Sequence, residues 1–432
     1  MEKREKSHDW IGQIPIGWQR VKLKYAVIPI NEKVSSESLL KYVGLENIES
    51  KTGKYIENEE SINVDGISNR FKVGDILFGK LRPYLSKCII AEFDGKGTTE
   101  LLILRQKKLT SLNRFIKYIV LNEKFIDVIN SSTYGAKMPR ANWDFIGEQV
   151  IPLPSLNVQF NIADFLDQKT SEIDALIADK EKLIELLEEK RQAIITEAVT
   201  KGLNPDAKMK DSGVEWIGEI PEHWNIAKLG LISNVIDPEP SHRAPSMKKD
   251  NGFPYVGIRD LNRDGSINLD TARMIEEESL LKQEKRFTIE NTDIVFCRVA
   301  TLGLPRIIKK ETRLALSATL SLIKHKPTKI DYEFLFYYLD SLPIKIQTEL
   351  FSTGSTRKSL GMETIRKFDI ILPDLEEQKI ISDHLREKTV ELEKLILTQS
   401  ALIENLKEYR QSLIYEAVTG KIDLRNYKGE EV

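Results

Sequence analysis

The sequence predicts two mixed α/β (α+β) lobes joined by two long helices that form an antiparallel coiled coil, the whole related by a pseudo-two-fold internal repeat. Three observations carry that fold class. Leu153-Pro154-x-Leu156-x-x-Gln159 runs through Arg191-Gln192 to Glu197-Ala198-Val199-Thr200. Leu372-Pro373-x-Leu375-x-x-Gln378 runs through Arg410-Gln411 to Glu416-Ala417-Val418-Thr419, at a constant offset of 219 (373 − 154 and 419 − 200). Second, Trp10-Ile11-Gly12-Gln13-Ile14-Pro15-Ile16-Gly17-Trp18 returns as Trp216-Ile217-Gly218-Glu219-Ile220-Pro221-Glu222-His223-Trp224, offset 206 (216 − 10). Third, apolar residues in the longer repeat recur in alternating steps of four and three. Self-similarity at a fixed long period decides architecture ahead of any single motif.

The elements follow in order. The first lobe occupies 1–151, the first helical segment 152–203, the connector and second lobe 204–371, and the second helical segment and tail 372–432. Short β-branched runs bounded by Gly, Asp and Asn read as strands at 42–48, 74–78 and 101–104, answered by 255–261, 292–296 and 320–323. Segments 113–129 and 332–350 have helical spacing with aromatic content. The second lobe is longer by 13 residues (219 − 206), so length varies in the lobe while the helical segment is fixed.

In the helical segments, Ile162, Leu166, Lys169, Ile173, Leu176, Lys180, Leu183, Leu187, Lys190 and Ile194 are matched by Ile381, Leu385, Lys388, Leu392, Leu395, Gln399, Leu402, Leu406, Tyr409 and Leu413. Sustained heptads predict a coiled-coil seam, with Lys169/Lys388 and Lys180/Gln399 as polar positions that fix register. A helix over 160–200 spans about 60 Å. Pseudo-symmetry favours antiparallel packing. Gly202 and Pro205 supply the stop. The competing arrangement packs each amphipathic helix on its own lobe.

Of 432 residues, 41% are hydrophobic and 30% charged, which fits a globular chain of two or three domains. No run of eighteen apolar residues occurs, and Met1-Glu2-Lys3-Arg4-Glu5-Lys6 lacks a signal-peptide core, so a cytoplasmic protein without a membrane segment is expected. Cys88 and Cys297 do not align in the repeat and read as buried thiols of a reducing compartment. The net charge of −2 hides a segregation. Residues 19–151 hold 21 Lys/Arg against 16 Asp/Glu, and 225–371 hold 23 against 19. The helical segments hold 6 against 10 (152–203) and 9 against 13 (372–432). Two basic lobes on two acidic helices suit a polyanion facing the lobes.

No catalytic constellation is legible. Asp94-Gly95-Lys96-Gly97-Thr98 lacks phosphate-loop spacing. Asp374 and Glu377-Gln378-Lys379 are too close together for an acidic nuclease site and belong to the start of the second helix. His8, His223, His242, His325 and His384 are scattered, so no metal site is expected.

Two loops per lobe carry candidate nucleic-acid chemistry. In Gly79-Lys80-Leu81-Arg82-Pro83-Tyr84-Leu85-Ser86-Lys87, an extended backbone would place Lys80, Arg82 and Tyr84 on one face, with Lys87 beyond. The corresponding stretch, 297–306, keeps Arg298 and Arg306 but loses the aromatic. The second loop is 131–140, with Gly135, Lys137 and Arg140, answered by 351–359 with Gly354, Arg357 and Lys358. Glycine and small hydroxyls let a backbone approach phosphate, and the cations supply charge or base-edge donors. An ordinary solvated strand face or surface loop is the competing reading.

The repeated Glu197-Ala198-Val199-Thr200, the stretch from Lys208-Met209-Lys210-Asp211-Ser212-Gly213-Val214-Glu215 into Trp216–Trp224, and Phe78-Gly79-Lys80-Leu81-Arg82-Pro83-Tyr84-Leu85 resemble the specificity subunit of type I restriction-modification systems. The resemblance covers essentially the whole chain, although the second lobe departs from the Lys-Leu-Arg-Pro-Tyr pattern. It implies a non-catalytic subunit whose two target recognition domains each read half of a split double-stranded DNA sequence. The helices would act as spacer. Two methyltransferase subunits and the restriction (translocase) subunits would be the partners. S-adenosylmethionine, ATP and Mg would then belong to those partners and not to this chain. The alternative from another class is a coiled-coil protein-interaction scaffold without DNA specificity.

Overall fold

The computed structural model describes residues 9–35, 39–57, 66–107, 109–133, 138–241, 245–248, 251–355 and 357–427. Two compact units emerge, Met1–Glu181 with Ser400–Val432, and Lys182–Gln399. The division falls inside both long helices, Leu156–Lys201 and Leu375–Val418, and not at the repeat boundaries. Packing explains this: the ends of each helix are built into lobe cores.

In the first unit, Gln19–Lys22 pairs antiparallel with Val150–Leu153, so the tryptophan frame is sewn to the strand that leads into the first long helix. A four-stranded antiparallel sheet follows in the order Val27–Ile30, Leu101–Gln106, Ile76–Gly79, Cys88–Ile90. A second sheet runs Lys33–Val34, Ser68–Phe71, Gly95–Gly97, Lys41–Val43, its last pair parallel. Helices Asn113–Leu121 and Glu123–Ser131 break at Asn122, whose side chain accepts the Lys124 and Phe125 N–H groups as an N-cap. Phe115, Tyr118, Ile119 and Phe125 share one core with Ile162, Leu166 and Ile173 of the first long helix and with Leu413, Ile414 and Val418 of the second.

The second unit repeats this plan. Asn225–Lys228 pairs with Asp369–Leu372, and a sheet runs Ser233–Ile236, Leu320–His325, Ile294–Cys297, Gly303–Ile307. Arg273–Ile275, Phe253–Val256 and Ala315–Leu316 form the smaller sheet. Helices Tyr332–Asp340 and Leu342–Phe351 flank a core in which Phe334 and Tyr338 meet Ile195 and Val199 of the first long helix and Ile381 and Leu385 of the second. Within each unit the helix pair is antiparallel: Asp174 faces Arg410 in one, Arg191 faces Glu393 in the other.

The repeat extends to single hydrogen bonds. Gln159 Nε2 donates to Pro154 O (2.8 Å) while its Oε1 accepts from Leu112 N (2.8 Å); Gln378 does the same with Pro373 O and Asp331 N, both at 2.8 Å. Each glutamine is fully buried and ties the first turn of its helix to the lobe. Asp75 accepts two bonds of 2.7 Å from Arg105, and Asp293 one of 2.6 Å from Lys324, so the strand-leading aspartates are internal anchors.

Three expectations need correction. The 42–48 and 255–261 strands stop early, at Val43 and Val256. Asn47 and Asp260 then accept the Gly44 and Gly257 N–H groups (2.8 Å each) and close 3-10 turns at Leu45–Asn47 and Ile258–Asp260. The helical readings of 113–129 and 332–350 each prove to be two helices. The strict seam also fails in the middle. Ile162, Leu166, Ile173, Ile381, Leu385 and Leu392 are buried, and Leu187 and Leu406 half-buried. Leu176, Leu183, Leu395 and Leu402 are 50%, 41%, 43% and 38% exposed. A helix turning every 3.6 residues carries a strict seven-residue stripe about 20° off line per heptad. Thr170 and Thr389 therefore take the buried positions next to Lys169 and Lys388, and Ile396 and Ile403 those next to Leu395 and Leu402. Thr170 stays satisfied, donating 2.6 Å to Leu166 O. Cys88 and Cys297 are free and buried.

Candidate nucleic-acid interface

The two loops singled out in each lobe meet. In the first, the Ile76–Gly79 strand exits into Lys80, whose N–H donates to Glu100 O (3.0 Å) and whose carbonyl accepts from Ala141 N (3.0 Å). Arg82 N then donates to Pro139 O (2.8 Å). In the second, Arg298 N donates to Thr319 O (2.9 Å), Arg298 O accepts from Leu360 N (2.9 Å), and Ala300 N donates to Lys358 O (2.9 Å). The same three main-chain bonds clasp both lobes.

The backbone at the clasp is not extended. Arg82 (φ 51°) and Ser86 (φ 47°) are left-handed around a 3-10 turn at Pro83–Leu85, and Ala300 (φ 67°) and Leu304 (φ 49°) repeat that pattern. The predicted single face of Lys80, Arg82 and Tyr84 is therefore overturned. A non-glycine residue with positive φ is held there by its surroundings, here by the main-chain clasp.

Side chains divide the candidates. Among the described residues, Lys80, Arg82 and Arg357 make no side-chain hydrogen bond or ion pair, and Tyr84 is 46% exposed. Lys358 is exposed but paired with Glu349. Arg140 is spent on Glu100, at 3.1 Å from Nε and 3.0 Å from a terminal nitrogen, and Lys87 Nζ donates to Leu45 O at 2.7 Å. Both serve the lobe first. Arg298 is a plain correction: it is buried, with Nε to Leu320 O (3.3 Å) and a terminal nitrogen to Asp237 (2.9 Å). Arg306 is another. It is half-buried, its terminal nitrogen donates to Pro305 O (2.7 Å), and burial pushes its pKa down. Its charged surroundings are Asp340, Arg263, Arg191 and Glu393, so it faces the helix side. Lys137 and Gly135 lie outside the described residues.

A cleft of about 630 Å³ opens beside the first clasp, lined by Asn31, Lys33, Asn69, Lys80, Arg140 and Asn142 among others. Donors and acceptors on asparagines with cations at the margin suit polar base edges and phosphates. Asn31, Lys33, Asn69 and Asn142 were missed in the sequence reading. The 206 offset, which aligns Asn31 with Asp237, was the available signal. Among the described residues no group of His, Cys, Asp or Glu is placed to hold a metal, and no helix is long and apolar enough to cross a membrane.

Duplicated lobes, each with a two-loop clasp at its strand ends and each founded on an antiparallel helix pair, define an internally repeated two-lobe protein. Residues 221–404 match the family described as type I restriction modification DNA specificity domain. The chain is 25% identical over 96% of both chains to the putative type I restriction enzyme MjaX specificity subunit of Methanocaldococcus jannaschii. It is likewise 25% identical to the MjaVIII specificity subunit of the same organism, over 96% of this chain and 95% of that one. The EcoBI specificity subunit of Escherichia coli is 25% identical over 69% of this chain and 64% of its own. A solved structure described under complex assembly and conformational transition of the type I R-M system shares the fold, with TM-score 0.69 and 18% identity over 95% of this chain and 100% of that one. Over nearly its whole length the chain is thus similar to specificity subunits of type I restriction enzymes, and its second half matches their DNA specificity domain.

Proposed function

We propose that this chain is the DNA sequence-recognition subunit of a type I restriction-modification complex, reading a bipartite target with one half-site per lobe. The observation that carries the reading is the pair of equivalent clasps, which leave Lys80 and Arg82 in one lobe and Arg357 in the other free for an anion. Both lobes are basic, as a duplex-facing surface requires. The chain carries no reaction of its own. Two methyltransferase subunits and the restriction subunits supply it, with S-adenosylmethionine, ATP and Mg bound in those partners. The likeness of the chain to specificity subunits disfavours a scaffold without DNA specificity. Mapping methylation in cells that express the chain with its methyltransferase partner tests the proposal. A split motif is expected; a single contiguous motif would overturn it.

A further inference from the structure

The two clasps hold a cation at the same main-chain position and treat it in opposite ways. Lys80 and Arg298 are equivalent because both donate to the residue before the next strand (Glu100 O, Thr319 O) and both accept from the second loop (Ala141 N, Leu360 N). In the second lobe the guanidinium turns inward, to Leu320 O at 3.3 Å and Asp237 at 2.9 Å, with side-chain exposures of 7% and 18% for the ion pair. The first lobe differs at both partners. Ile30 and Ile236 pair with the equivalent residues Ile103 and Leu322, so the next residues, Asn31 and Asp237, are equivalent, and the first lobe has a neutral amide where the second has a carboxylate. Leu101 O, the counterpart of Leu320 O, is already taken by Asn69 Nδ2 at 3.2 Å. Asn69 is itself pinned by Lys33 Nζ at 2.6 Å on its Oδ1.

We infer that Asn31 is a positioning residue of the first lobe that decides whether Lys80 contacts DNA. By withholding a carboxylate, Asn31, with Asn69 on the carbonyl, releases Lys80 into the cleft as a DNA contact, whereas Asp237 retires Arg298 into the second lobe's interior. The two lobes thus read their half-sites with different parts of one shared clasp: the first through its strand-exit loop and cleft, the second through the Arg357 loop. Asn31 is exposed and Lys80 half-buried on the lining of one cleft, so a carboxylate at position 31 would set a negative charge there that competes with a phosphate for Lys80 and repels it. The inference rests on the DNA-recognition reading.

The test uses the full chain in complex with its methyltransferase partner and a duplex carrying the mapped motif. Binding is measured against salt for the unaltered chain, Asn31→Asp, Lys80→Met and the double variant. Asn31→Asp and Lys80→Met are each expected to lower the slope of log K against log salt by about 0.9, the loss of one phosphate. The double variant is expected to match either single one, because both remove the same contact. Additive losses, or an unchanged slope in Asn31→Asp, overturn the inference. Thermal melting of each variant, expected within about 2 °C of the unaltered chain, shows that the effect is not lost folding; a drop beyond that with an unchanged slope also overturns it. If the unaltered complex does not distinguish its motif from other duplexes, it is the recognition reading that fails.

Discussion

Arg410 Nε lies 2.9 Å from Asp174 Oδ1, with the two side chains only 6% and 9% exposed. Its remaining nitrogens donate to the Lys51 and Thr52 carbonyls, both at 3.1 Å. One arginine therefore joins the antiparallel helix to a loop of the lobe. Arg191, its counterpart 219 residues earlier, does the same in the other unit with different means. It reaches Glu393, the counterpart of Asp174, at 3.6 Å and the lobe carboxylate Asp340 at 2.8 Å.

Arg410→Ala is expected to destabilise the first unit by about 3–5 kcal/mol, because it strands a buried carboxylate and two carbonyls. Lys54, 3.2 Å from Asp174, holds the loss toward the lower end of that range. Replacing the pair together, Arg410→Met with Asp174→Leu, is expected to cost far less, since no charge is left uncompensated. Urea melts of the three proteins decide this. Equal losses in the single and double variants would mean that the carbonyl contacts, and not the ion pair, hold the helix to the lobe.

The buried glutamines give a paired prediction. Gln159→Leu and Gln378→Leu each leave a main-chain N–H and at least one carbonyl without a partner, at about 1–3 kcal/mol per buried group. Gln159 also donates to Thr110 O at 3.0 Å, while the matching bond from Gln378 to Lys329 O is 3.5 Å long. The Gln159 variant is accordingly expected to lose at least as much as the Gln378 variant. Denaturant midpoints read in the two units with tryptophan probes check the order.

Both glutamines were visible in the sequence because a repeat without a gap exposes any residue kept on both sides. Individual strands were legible because short β-branched runs bounded by Gly, Asp and Asn need only local information, whereas their order in the sheets was not. What local information cannot give is where a side chain's partner lies. Arg298 reads as a free cation until Asp237, 61 residues away in sequence (298 − 237), is folded against it. The meeting of Lys80 with Ala141 is equally non-local. The helix seam fails differently. Heptads written along the sequence presuppose a supercoil, and Thr170, polar but small, is a better interior residue than Lys169 because its hydroxyl returns to its own helix.

Asp167 supplies a pH prediction. Burial raises its pKa, but Lys117, the Tyr118 hydroxyl and Arg114 act against that and leave the group below its ordinary value of 3.8. A depressed carboxylate contributes stability that is complete above the unfolded-state value and is lost as pH falls through the lower folded-state value. Asp167→Asn is therefore expected to be less stable than the unaltered chain at pH 6, with the gap closing below about pH 4. Urea unfolding across pH 3–6 measures it. A gap that stays constant across that window would show that Asp167 titrates as an ordinary carboxyl.

The contrast between Arg298 and Arg357 separates structure from recognition in the second lobe. Arg298→Met is expected to lower stability by about 3–5 kcal/mol, because Asp237 and Leu320 O lose their buried partner. Once folded, the variant is expected to keep the salt slope of DNA binding, since the guanidinium never faced the solvent. Arg357→Ala removes an exposed, unpaired cation at the tip of the second loop. It is expected to leave stability within about 0.5 kcal/mol and to lower the salt slope by about 0.9. Measuring both quantities for both variants gives a two-by-two outcome. If Arg298→Met flattened the slope while Arg357→Ala left it untouched, the assignment of the clasp's outer face to DNA would be reversed, with the buried arginine turning outward on binding.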